Sequence, residues 1–230
     1  GWLHDAQAFA LQESHVVQAL AAAREAQRQD AVAFAQGSVG AGRGMSCHGL
    51  KGGIGSASRI VSWQGRHHRL GALVLANQGR PDALTIAGRR MAAPLQARIA
   101  SGDAGPERGS IIVLLATDAP LDARQLTRVA RRAAAGLART GSDYGHGSGD
   151  IALAFSTAWR VPQRDAEPMP AVALLHEHAL DAFFQAAAEA TEQAILHALF
   201  AATGVTGRDG RRRHALTDLA PDWQALLNER

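Results

Sequence analysis

Gly109-Ser110-Ile111-Ile112-Val113-Leu114-Leu115-Ala116-Thr117-Asp118-Ala119-Pro120 carries the strongest buried-strand signal in the chain. The run from Ile111 to Ala116 is apolar throughout, as a strand inside a core requires, and predicts burial on both faces. Thr117, Asp118 and Pro120 close it with turn chemistry. Ahead of it, Arg89 to Arg108 is polar and weakly periodic and reads as a loop. Ser110 therefore stands at the junction between a loop and a core strand.

The elements around this strand alternate in type. Downstream, Leu121 to Thr140 reads as one Arg-rich amphipathic helix with Leu126, Val129, Ala133 and Leu137 as its apolar stripe. A Gly/Ser loop over Gly141–Gly149 leads into a strand at Ile151–Ser156. Arg160–Pro170 is a surface connection, Leu180–Ala202 a long apolar-striped helix, and Gly207–Arg230 a charged, peripheral tail. Upstream, two strands are expected at Ser56–Trp63 and His68–Ala76, joined by a turn at Gln64-Gly65. Alternate positions of the second, Leu70 to Ala76, are apolar on both sides, which again predicts burial on both faces. Before them lies a glycine-rich stretch from Gly37 to Gly55. A first helix runs from about Glu13 to Gln29, with Ser14 as its cap and Val16, Val17, Leu20 and Ala21 on one face. Together these elements predict an α/β fold, one domain over residues 1–230, with strands sandwiched between helices.

Composition narrows the function classes. At 230 residues and 47% hydrophobic content the chain can bury a core without a disulfide or metal staple. Cys47 is the one cysteine, so neither an internal disulfide nor a Cys-based zinc site is available. Its apolar runs are too short for a membrane-spanning helix. There are 24 Lys+Arg against 21 Asp+Glu, and Lys51 is the only lysine. That near balance makes a pI of about 9.9 weak support for an Arg-rich nucleic-acid binder. The Ala- and Arg-rich, Lys-poor composition suggests a GC-rich bacterial genome.

Common catalytic and nucleotide-binding motifs fail on inspection. Gly44-xxxx-Gly49 is followed by Leu50, where a phosphate loop needs Lys. Gly40-x-Gly42 lacks the third glycine of a dinucleotide fold, since Met45 occupies its place. His146 replaces the first glycine of a nucleophile elbow at Gly147-Ser148-Gly149-Asp150. His67-His68 and His176/His178 lack the spacing of a zinc protease and read as solvated surface. Arg211-Arg212-Arg213 reads as a solvated run.

Gly109-Ser110 survives this filter. A serine at this junction suits a self-cleaving precursor, in which its hydroxyl attacks the Gly109 carbonyl in an N-to-O acyl shift. Glycine keeps that carbonyl accessible and tolerates strain. Hydrolysis of the ester would leave Ser110 as a new N-terminus. The freed α-amine, with a reference pKa of about 7.7–8.0, can take the hydroxyl proton near neutral pH. One residue would then supply both nucleophile and base. A plain strand start remains the alternative reading of Gly-Ser.

Several segments, in the same order, resemble the D-aminopeptidase/β-peptidyl aminopeptidase family, which includes the L-aminopeptidase/D-Ala-esterase/amidase enzymes. They are Gly44–Arg59 (GMSCHGLKGGIGSASR), Leu70–Gly79 (LGALVLANQG), Gly109–Leu121 (GSIIVLLATDAPL), Gly147–Thr157 (GSGDIALAFST), Ala190–Ile195 (ATEQAI) and Thr206–Gly210 (TGRDG). The resemblance implies an αββα sandwich like that of N-terminal-nucleophile hydrolases. It implies cleavage between Gly109 and Ser110 into an α-subunit part, 1–109, and a β-subunit, 110–230. These would stay associated, commonly in a homo-oligomer. The implied reaction removes N-terminal residues, D- or β-configured in some cases, from small peptides, amides or esters.

The resemblance assigns Ser110 as nucleophile, Asn77 as oxyanion donor, and Ser148 and Asp150 as a Ser-x-acid pair that orients Ser110 or relays protons. Read without the family, Asn77 ends a strand and Gly147–Asp150 is a turn. Lys51, Gly52 and Gly53 either shape the site or serve packing. No cofactor, metal, nucleic acid or membrane is implied. Placement is cytoplasmic, with the periplasm open because a signal peptide would lie upstream. Gly1-Trp2-Leu3-His4-Asp5 resembles a segment well inside family precursors, so the sandwich is expected to be incomplete. A truncated, catalytically idle member is the alternative reading. Ornithine acetyltransferases share the architecture but use threonine, against which Ser110 argues.

Overall fold

The computed structural model describes residues 2–28, 34–91, 95, 98, 109–164, 166, 168–169 and 171–228. Its centre is a four-stranded sheet of β1 (Gly53–Trp63), β2 (Arg66–Asn77), β3 (Ser110–Thr117) and β4 (Ile151–Ser156), in that spatial order. β1 and β2 form a hairpin, β2 and β3 pair antiparallel, and β3 and β4 run parallel. The hairpin turn uses Gln64 and Gly65, both at positive φ, the conformation a tight two-residue turn requires. β1 and β2 each extend beyond the expected strands, and β2 ends on Asn77 itself.

A parallel pair needs a crossover. α2 (Ala123–Ala130) and α3 (Ala133–Arg139) supply it. Asp122 caps α2 reciprocally: its carboxylate accepts from Gln125 N–H at 2.7 Å, and Gln125 Oε1 accepts from Asp122 N–H at 3.1 Å. The single helix expected over Leu121–Thr140 is thus two. A tight turn at Arg131-Arg132, with Arg132 N–H donating to Val129 O, separates them. Val129, Ala133 and Leu137 of the expected stripe are buried.

The core lies between one face of the sheet and the long helix α4 (Leu180–Phe200), eleven of whose 21 residues are buried. Leu70, Ala72, Val74 and Ala76 of β2 meet it together with Ile111, Val113 and Leu115 of β3. The opposite face carries Leu73, Leu75, Ile112, Leu114, Ile151, Leu153 and Phe155. Ile112 is 42% exposed and Ile151 59%. Burial on both faces of β2 and β3 was therefore too strong an expectation. Both strands alternate, because α4 covers only one side. Among the described residues there is one central sheet with one helical layer, not two sheets between two layers.

Other expectations shift as well. Helix α1 (Glu13–Arg28) forms as expected but has no buried residue, and Ser14 lies inside its first turn rather than capping it. Gln29 falls outside the described residues, as does most of Arg89–Arg108. Within that stretch, however, Arg89–Arg90 pairs with Thr85–Ile86, and Met91 and Leu95 are fully buried. The tail is not peripheral. It folds into α5 (Leu216–Leu219) and α6 (Trp223–Asn228) and delivers Leu216, Ala220 and Leu226 to the core.

Helix and sheet meet backbone to backbone at Gly55. A Cβ there would lie 1.9 Å from the Ala194 carbonyl oxygen. Gly55→Ala must push α4 away from β1. Chemical denaturation is expected to show a loss of about 1–3 kcal/mol. Unchanged stability would contradict this close approach.

Candidate active site

Four of the residues singled out by sequence converge at one end of the sheet. Asn77, the last residue of β2, stands directly opposite Ser110, the first of β3, in the antiparallel register. Directly paired residues share a face, with Cβ atoms about 4.5–5.5 Å apart. That face is the open one, since Leu75 and Ile112 are the adjacent pair. Asn77 and Ser110 are both half-buried.

Gly109 is shaped by the same pairing. A Cβ on it would fall 1.8 Å from the Asn77 carbonyl oxygen. Only glycine lets the chain enter β3 this close to β2.

The loop before β4 closes the site. Gly149 N–H donates to Ser110 Oγ at 2.9 Å. That contact places a fixed donor on the hydroxyl oxygen, where it favours negative charge. The Asp150 carboxylate accepts from Ile111 N–H at 3.0 Å and from Ser148 Oγ at 2.5 Å. Asp150 thereby ties the loop to the residue after Ser110. With its proton committed to Asp150, the Ser148 hydroxyl retains lone pairs to accept from a neighbour. The loop also bears Tyr144, held at positive φ. Burial pushes its phenol up to about 12, and the Asp150 charge adds to the shift.

Asn77 is anchored from the other side. Its Oδ1 accepts from Ser46 N–H at 2.9 Å. A backbone N–H can only donate, so Oδ1 must face Ser46 and the amide NH2 points the other way. Ser46 belongs to a small hairpin of Ser46–Cys47 and Leu50–Lys51, turned by His48 and Gly49 at positive φ. Lys51, left open between site and packing by its sequence, is fully buried inside this hairpin.

Sequence reasoning found the side chains but missed the backbone donors. Gly149 and Ser46 act through N–H groups, which no residue type advertises. Lys51 did carry a signal, as the one lysine in an arginine-rich chain, set among glycines. Among the described residues no group of three or more His, Cys, Asp or Glu is placed to hold a metal. No helix there is long and apolar enough to cross a membrane.

A sheet backed by helices, with a serine opening an inner strand beneath a glycine, defines the class of architecture. Residues 1–213 match peptidase family S58, and the chain belongs to that family. It is 38% identical over 222 residues to the β-peptidyl aminopeptidase BapA of Sphingosinicella microcystinivorans, covering 91% of this chain and 54% of that protein. The chain thus spans about half the length of the curated relatives it matches. Among solved structures, a β-aminopeptidase from Burkholderia sp. superposes with a TM-score of 0.84 at 37% identity, over 100% of this chain and 63% of that one. The L-aminopeptidase D-Ala-esterase/amidase of Ochrobactrum anthropi, described as a variant of the Ntn hydrolase fold, gives 0.71 at 37%, over 83% and 53%. The mixed α/β fold is that of the serine aminopeptidases.

Gly109→Ala is expected to displace Ser110 from the Gly149 N–H. Hydrogen exchange reads this directly, as faster exchange of the Gly149 amide in the variant. An unchanged rate would mean that β3 can enter the sheet without glycine.

Proposed function

We propose that this chain carries the catalytic centre of a self-processing serine aminopeptidase, matured by cleavage between Gly109 and Ser110. The observation that carries the reading is the convergence on Ser110: Gly149 N–H on its hydroxyl, Asn77 opposite, Gly109 before it. Family membership and the β-aminopeptidase relatives point the same way.

In maturation the Ser110 Oγ attacks the Gly109 carbonyl carbon. The C–O bond forms, the C–N bond breaks, and the hydroxyl proton ends on the Ser110 nitrogen. Water then hydrolyses the ester, giving a Gly109 carboxylate and a free Ser110 amine and hydroxyl. The product is one domain of two parts, 1–109 and 110–230, held together by the β2–β3 ladder.

In turnover the freed amine takes the Ser110 hydroxyl proton as Oγ attacks the substrate carbonyl. The Asn77 amide NH2 donates to the developing oxyanion. The leaving amine departs with the proton, and water releases the acyl group. Asp150 and Ser148 hold the nucleophile's strand and its amine in register. Substrates are short peptides, amides or esters with a free N-terminal amine, of β-, D- or L-configuration. The open apolar face of β2, β3 and β4 serves as the packing surface for a second sheet, completing an αββα sandwich within a larger, homo-oligomeric assembly.

The test is hydrolysis of β-alanyl, D-alanyl and L-alanyl p-nitroanilides. Ser110→Ala is expected to abolish release of p-nitroaniline. Asn77→Ala should lower kcat by about 10²–10³, the effect of removing one oxyanion donor. Turnover by Ser110→Ala would overturn the assignment.

A further inference from the structure

Among the described residues, no carboxylate pairs with the Lys51 ammonium. Its Nζ donates to three main-chain carbonyls: Gly42 O at 2.6 Å, Met45 O at 2.7 Å and Gly52 O at 2.6 Å. Three protons meet three acceptors, so the ammonium is saturated and fully enclosed. Burying a charge is costly, and carbonyl dipoles offset that cost only where they are held in place. Glycines hold them. Gly52 lies so near β2 that a Cβ would be 2.3 Å from the Ala76 carbonyl oxygen. Gly52 N–H also donates to Met45 O at 3.0 Å.

One of the three carbonyls is not merely structural. The Met45–Ser46 peptide unit takes the Lys51 ammonium on its C=O and gives its N–H to Asn77 Oδ1. A cation on the oxygen of a peptide makes its N–H a stronger donor. The accepting amide is polarised in turn, so its own NH2 also donates more strongly. The line from Lys51 through Met45, Ser46 and Asn77 is made of short, direct contacts and ends opposite Ser110.

We propose that Lys51 is a positioning residue for Asn77: through the Met45–Ser46 peptide its ammonium fixes the direction of the Asn77 amide and strengthens it as a donor. The consequence for catalysis rests on the reading of Asn77 as the oxyanion donor. The orientation itself does not. Burial lowers the Lys51 ammonium to about 8, so its charge can be removed without mutation. The groups that bear on it are Cys47, which raises that value, and Arg43, which lowers it.

Two measurements test this. In 15N-resolved NMR of the Ser110→Ala chain, which cannot free the amine opposite Asn77, between about pH 6.5 and about 9.5, spanning the Lys51 transition, the Ser46 amide and the Asn77 side-chain NH2 should move together with one midpoint near 8. Lys51→Met should abolish that titration and Cys47→Ala should keep it. Should Lys51→Met fail to fold, the titration in the Ser110→Ala chain with and without Cys47→Ala decides. Resonances of Ser46 and Asn77 that ignore pH would overturn the proposal.

The second is the rate of Gly109–Ser110 cleavage. Lys51→Met should slow it by about tenfold, less than the roughly 10²–10³ expected for losing the donor outright. In an Asn77→Ala background Lys51→Met should add nothing, because the two act through one group. Additive effects would make Lys51 a packing residue and overturn its role. A wild-type chain that shows the NMR coupling but never cleaves would instead refute the peptidase reading and leave the orientation of Asn77 by Lys51 standing.

Discussion

The antiparallel register between β2 and β3 sets Asn77 opposite Ser110, and everything else at the site follows from it. A slip of one residue would turn Ser110 to the core face and carry Ile111, Val113 and Leu115 out of it. The register is held from both ends. The core face is fixed by the packing of Val74, Val113 and their neighbours under α4. At the site end, Gly109 meets the Asn77 carbonyl so closely that no other residue fits. Stability and the proposed chemistry therefore share one constraint, because the strand pairing that buries the core also sets Ser110 opposite Asn77.

Around that pair, the polar groups arrive from two loops on opposite sides. The Gly149–Asp150 loop reaches Ser110 and Ile111, and the Ser46 hairpin reaches Asn77. Both deliver backbone N–H groups, which are rigid and cannot swing away as side chains do. The open sheet face beneath them is lined by Ile112, Leu114, Leu153 and Phe155. This exposed apolar face is the packing surface proposed above.

Much of this was legible in the sequence. Ile111–Ala116 announced its strand and Gln64-Gly65 its turn. Asn77, Ser148 and Asp150 were reached only through the order of family-like segments, since each alone reads as a strand end or turn. The failures have physical reasons. An apolar run such as Leu70–Ala76 looks the same whether one face or both are covered. Leu216 and Leu226 were hidden in a tail whose charge masked its core residues, and Met91 in a polar stretch. The bonds made by Gly149 and Ser46 leave no trace in residue identity.

The central claim is that the Gly109–Ser110 bond is cut by Ser110 itself. Intact mass of the purified chain beside Ser110→Ala tests it most directly. Two fragments, 1–109 and 110–230, in the wild type and a single 24.2 kDa chain in the variant are the predicted result. A wild-type chain that stays whole, or a Ser110→Ala chain that is still cut at this bond, would contradict it.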